Sequence, residues 1–114
     1  MNFLELQTED QLKEIKEKTG FTIIFKHNAN CPVSKATRSS FEEEAKQIPH
    51  GTSIYFLDLL TYRDMSNAIA NDFEVKHESP QLLLIKDGKY TFSQAHFSIS
   101  ADAAAEHIQK HEVK

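Results

Sequence analysis

The sequence predicts an α/β fold: a mixed central sheet of four to five strands flanked by helices. Three observations predict it. Apolar runs rich in β-branched and aromatic residues alternate with stretches of helical period. An Asp-Gly pair separates the last two runs, a strong hairpin signal. All three glycines and all three prolines fall between elements or at their ends.

The elements follow in order. Phe3–Leu6 reads as a short edge strand. Thr8 and Gln11 form a capping box that opens a helix to about Lys18, with Leu12 and Ile15 as its apolar stripe and Gly20 just past its end. Phe21–Lys26, "FTIIFK", is apolar without alternation, as expected of a strand covered on both faces. From Pro32 to about Gln47 the period becomes helical, with Ala36, Phe41, Ala45 and Ile48 expected inward and Glu42–Glu44 outward. Pro49-His50-Gly51 breaks the chain before a second buried strand, Ser53–Asp58. Tyr62–Phe73 reads as a helix with Met65, Ala68, Ile69 and Phe73 inward. Gln81–Lys86 and Lys89–Ser93 form the hairpin around Asp87-Gly88, and Ser100 caps a last helix carrying Ala101, Ala104, Ala105 and Ile108. Strands separated by helices pair in parallel and are covered on both faces, whereas the hairpin adds an antiparallel pair.

Composition bounds what this domain, expected to span residues 1–114, does. A chain of 114 residues with 39% hydrophobic and 26% charged residues supports one core. Its formal net charge of -4 gives no bulk attraction to nucleic acid or to an anionic membrane surface. No apolar run approaches the roughly 20 residues of a membrane span, and the start, "MNFLELQTED", has neither the basic region nor the apolar core of a signal peptide. The expected location is cytoplasmic. With one cysteine, an internal disulfide is impossible.

That cysteine, Cys31, stands at a strand-to-helix junction, in "HNANCPVSKA", and Pro32 follows it. Proline suits the first position of a helix, where its missing N–H would have no partner anyway. Cys31 is thereby placed at the helix N-terminus, where unpaired N–H groups and the positive end of the dipole favour a thiolate over a thiol. Between Phe21 and Phe41 there is no Asp or Glu, while Lys26, His27, Lys35 and Arg38 occur there. Lys35 and Arg38 lie four and seven residues beyond Cys31, on its helical face. A cysteine set in a core would be an inert hydrophobe, but its loop and helix-start neighbours argue against that. His27 and Cys31 alone make a weak metal signal, and no metal is expected. A cysteine hydrolase would need a Cys–His pair.

Ser34 stands three residues after Cys31, giving C-P-V-S where dithiol redox proteins carry C-x-x-C. A mixed disulfide on Cys31 therefore has to be resolved by another molecule's thiol. Ser34 also fits ordinary helix-start chemistry. Ser79-Pro80, ahead of the strand "QLLLIK", is a candidate cis peptide, with a plain trans proline at a strand start as the alternative.

Together, "FKHNANCPVSKA", "ESPQLLLIKDGK" and the element order resemble the monothiol bacilliredoxins, thioredoxin-like proteins of low-GC Gram-positive bacteria. The resemblance spans essentially the whole chain. It implies a thiol-disulfide oxidoreductase that removes bacillithiol from S-bacillithiolated client proteins, with Cys31 as the active thiol. Pro80 would match the cis-proline of the fold and lie against the Cys31 loop. Bacillithiol or another redoxin would resolve the intermediate, and no tightly bound cofactor is implied. Asn30 and Val33 depart mildly from the family pattern. Two competing readings are a glutaredoxin-like reductase of another oxidised substrate such as arsenate, since helix N-termini also bind oxyanions, and a non-catalytic adaptor on the same fold. Lys35 and Arg38, with His27 and Lys26 behind them, are the expected positive groups around the thiol.

Overall fold

The computed structural model describes residues 3–112; residues 1–2 and 113–114 of the expected domain lie outside the described residues. Five strands, β1 (Phe3–Glu5), β2 (Phe21–His27), β3 (Ser53–Asp58), β4 (Gln81–Lys86) and β5 (Lys89–Ala95), form one sheet in the order β1-β3-β2-β4-β5. Four helices flank it: α1 (Glu9–Glu17), α2 (Pro32–Glu44), α3 (Arg63–Asp72) and α4 (Ala101–Glu112). β1, β3 and β2 are parallel, β4 pairs antiparallel with β2, and β5 pairs antiparallel with β4. The expected mixed sheet is present, with five strands.

β2 is central, and each of its seven residues is buried, which is why its sequence shows no alternation. Alternate residues point to two different cores. Phe21, Ile23 and Phe25 meet Phe41 of α2, then Ala45 and Ile48, and Ala104 and Ile108 of α4. On the opposite face Ile24 joins Leu12 and Ile15 of α1 and Ile69 of α3. Phe25, Phe41 and Phe56 stack in tilted and edge-on pairs, with ring centroids 5.1–6.1 Å apart, between the sheet and α2.

The boundaries follow local chemistry. Thr8 and Gln11 make both halves of the capping box on α1. Asp87 and Gly88 both have positive φ, 51° and 79°, as a tight hairpin turn of this hand requires. The turn is tied to the end of α1: Gly20 N–H donates to Asp87 Oδ1 at 2.7 Å, and Asp87 N–H to the Gly20 carbonyl at 2.9 Å. β5 runs two residues beyond the expected Ser93, because Gln94 and Ala95 still pair with Leu82 and Gln81. Ser100 caps α4, its Oγ accepting from Ala103 N–H at 3.2 Å.

One expectation about α2 is corrected. Ala36 is exposed; the inward positions are Ser34 and Phe41, continued by Ala45 and Ile48 in the 3-10 turn and connection that follow. The inward face of α2 therefore starts at Ser34, a polar residue, for a reason found at the site.

Candidate active site around Cys31

The C-terminal ends of β2 and β3 open onto one edge of the sheet, and Cys31 lies in the loop that leaves β2. Asn28 builds this loop. Its carbonyl accepts from Cys31 N–H at 3.0 Å and its side-chain Oδ1 from Asn30 N–H at 2.9 Å, the self-closing turn that Asn favours. Its own N–H donates to Ser34 Oγ at 2.8 Å. Cys31 takes the N-cap position in extended backbone, Pro32 is the first helical residue, and the Cys31 carbonyl accepts from Lys35 N–H at 3.0 Å. The thiol is half-buried, beside the N-terminus of a helix with no acidic residue in its first turn.

Ser34, 1% exposed, is thus the inner anchor of the loop. A side chain three residues past the N-cap turns under the helix, where its hydroxyl meets the backbone of Asn28. A second thiol placed here would be buried directly beneath Cys31's own turn.

The positive groups sort themselves differently from their order in the sequence. Arg38 is half-buried. Its Nε donates to Glu42 at 2.9 Å, one Nη to Glu5 at 2.8 Å and the other lies 3.0 Å from His27 Nε2. Its guanidinium carbon sits 3.9 Å from the centroid of the Phe56 ring. His27 is buried, edge-on to the same ring. Burial, and next the Arg38 charge, push the His27 pKa down, outweighing Asp58, Glu5 and Glu42. Arg38 can only donate, so His27 Nε2 is the acceptor of that bond. Lys26 is fully buried on the opposite face of the sheet, against α3. The expected positive surface of four groups is therefore corrected. Arg38 is held in ion pairs with Glu5 and Glu42, His27 and Lys26 are buried, and Lys35, exposed one turn past Cys31, is the cation of that set left facing solvent without such a pair among the described residues.

The Ser79–Pro80 peptide is cis. Lys26 pairs with Gln81 across the β2–β4 ladder, so one step further brings Pro80 level with His27, on the edge from which the Cys31 loop departs. Pro80 is buried and Ser79 half-buried; the Pro80 carbonyl accepts from His96 N–H at 3.0 Å. His96 has φ +54°, and its Nε2 lies 3.6 Å from Glu78. A groove of about 420 Å³ runs from His96 and Ile99 to Val33, Ala36 and Thr37, in the first turns after the thiol. Val33 is 51% exposed there.

Asn28, His96 and the side chains that hold the loop before Pro80 were not legible as site residues. Asn28 carried a signal, an Asn three residues before Cys31, consistent with a side-chain-closed turn. His96 carried none, because its partners lie on other elements. Among the described residues, no group of three or more His, Cys, Asp or Glu side chains is placed to hold a metal ion, and no helix is long and apolar enough to cross a membrane.

A five-stranded mixed sheet between two helical layers, with a helix-start cysteine and a cis-proline on one edge, defines a thioredoxin-fold protein. Solved structures agree. A candidate oxidoreductase with a thioredoxin fold superposes with a TM-score of 0.80 at 27% identity, over 91% of each chain. A mutant thioredoxin from Halobacterium salinarum gives 0.70 at 18% identity, over 96% of this chain and 89% of that one. Schistosoma mansoni thioredoxin pre-protein gives 0.69 at 16%, over 96% and 98%. The chain belongs to the monothiol bacilliredoxin family: the model for monothiol bacilliredoxin BrxC matches residues 4–104. Family and fold together support a thiol redox role.

Proposed function

We propose that the protein reduces mixed disulfides between bacillithiol and client proteins, with Cys31 as its nucleophile. The observation that carries this reading is the lone thiol at the N-cap of α2 with Ser34, not a second cysteine, beneath it. The Cys31 thiolate attacks the bacillithiol sulfur. The client–bacillithiol S–S bond breaks, the client thiolate leaves and takes a proton from water, and a Cys31–bacillithiol disulfide forms. A second thiol, bacillithiol or that of another redoxin, then attacks the bacillithiol sulfur and releases Cys31 as thiolate. The net reaction exchanges the mixed disulfide and the second thiol for the free client thiol and a disulfide between bacillithiol and that second thiol; bacillithiol is a co-substrate, and the chemistry calls for no metal or bound cofactor. Such turnover belongs to a reducing compartment such as the cytoplasm. Lys35, exposed beside the thiol, is suited to the carboxylates of bacillithiol, whereas Arg38 and His27 support the helix from within.

Mass spectrometry of the protein with oxidised bacillithiol tests the reading. The expected product is a single adduct on Cys31 that clears with added thiol, followed by repeated turnover of a bacillithiolated client peptide. An adaptor would be modified once and stop, and a reductase of oxyanions would leave the client peptide oxidised.

A further inference from the structure

The scheme above makes no use of Lys26, although it is the one lysine in a strand otherwise buried and apolar but for Thr22 and His27. It is 0% exposed. An ammonium in such a place costs more than an apolar side chain of the same length. Burial pushes its pKa down to about 8. Its Nζ donates to the Ser66 carbonyl, in the first turn of α3, at 3.0 Å and lies 3.3 Å from His77 Nδ1. His77 belongs to the connection that ends in the cis Ser79–Pro80 bond.

The strand partner of Lys26 completes the arrangement. Gln81, 2% exposed, pairs with Lys26 across the ladder. Its Oε1 accepts from Glu78 N–H at 3.3 Å and its Nε2 donates to the Lys76 carbonyl at 2.9 Å. Three consecutive residues, Lys76, His77 and Glu78, are thus each gripped by one of two buried polar side chains standing side by side in the sheet. Lys26 alone also reaches α3, so it locks the connection to β2 and to α3 at once. A methionine would fill the same space but could not hold His77.

We infer that Lys26 is a positioning residue which, through His77 and together with Gln81, holds the Glu78–Ser79–Pro80 segment where the client's mixed disulfide docks beside Cys31. The inference rests on the proposed role of Cys31.

Lys26→Met and His77→Ala test it from the two ends of the contact. Amide hydrogen exchange of residues 76–79 in the free protein should speed up about tenfold or more in both variants. The melting temperature of Lys26→Met should hold or rise, because a buried charge has been removed. Alkylation of Cys31 by iodoacetamide, which needs no docking, should keep its rate, while kcat/KM on a bacillithiolated client peptide falls about tenfold or more, mostly through KM. Unchanged amide exchange would overturn the inference. So would a melting temperature that drops in step with activity, which means packing, or slower alkylation, which means an effect on the thiol. If Lys26→Met does not fold, His77→Ala, at an exposed loop residue, decides alone. If the unaltered protein does not turn over the peptide, the proposed function fails and the amide-exchange arm still decides the positioning.

Discussion

Replacing Ser34 by alanine separates the two roles that a serine beneath the active cysteine could have. The hydroxyl accepts one bond, from Asn28 N–H at 2.8 Å, and is 1% exposed. Removing it leaves a backbone donor without its protein partner, which costs about 1–3 kcal/mol when water cannot replace it. Asn28 is half-buried, so water reaches it in part and the lower half of that range, about 1–2 kcal/mol, applies. For a chain of 114 residues, an unfolding entropy of about 2.1 cal/mol/K per residue gives roughly 0.24 kcal/mol per degree. The melting temperature should therefore fall by about 4–8 °C. The exchange chemistry should survive, because the thiol and the helix N-terminus remain, whereas Cys31→Ser should abolish it. Calorimetry and turnover of a bacillithiolated peptide, on the same preparations, read both quantities. An unchanged melting temperature would refute the anchoring argument. Loss of exchange as complete as in Cys31→Ser would refute the view that Ser34 orients the loop without taking part in the reaction.

Three further outcomes are expected. Lys35→Gln should slow attack on anionic bacillithiol mixed disulfides more than on a neutral disulfide, with the gap closing as salt rises because exposed charges are screened over about 8 Å at physiological ionic strength; equal slowing on both would exclude ligand recognition. Arg38→Gln should cost about 1–2 kcal/mol in urea unfolding, from the lost Phe56 stacking and two half-exposed ion pairs, and should leave the discrimination between those substrates intact; a change in it would return Arg38 to the binding surface. The lowered pKa of His27 sets a pH dependence. The unfolded chain takes up a proton near 6.5 while the folded ring resists it, so stability is greatest above about pH 6.5 and declines as pH falls below it. His27→Gln should flatten part of that decline in urea melts between about pH 7 and 5, and an unaltered slope would place its origin elsewhere.

Within the described residues, the sequence by itself determined the elements and their order. A run such as "FTIIF", apolar but for Thr22, forms a central strand because its large side chains are driven from water on both faces; Thr8 and Ser100 begin helices through bonds made within a few residues, and Asp87-Gly88 turns the chain through its own positive φ angles. The place of Cys31 was equally local, since Pro32 marks the first turn of α2. The tertiary structure decided the electrostatics. The acid-free stretch around the thiol promised a positive surface, but Glu5, 33 residues from Arg38 in sequence, arrives from β1 and pairs with Arg38, leaving Lys35 to face solvent. Lys26 and His27 are adjacent in one strand and so point to opposite faces of the sheet, where Lys26 meets Ser66 and His77, and His27 meets Arg38 and Phe56. Charges act through space at distances that only the packed chain sets, whereas strand, turn and cap are written in neighbouring residues.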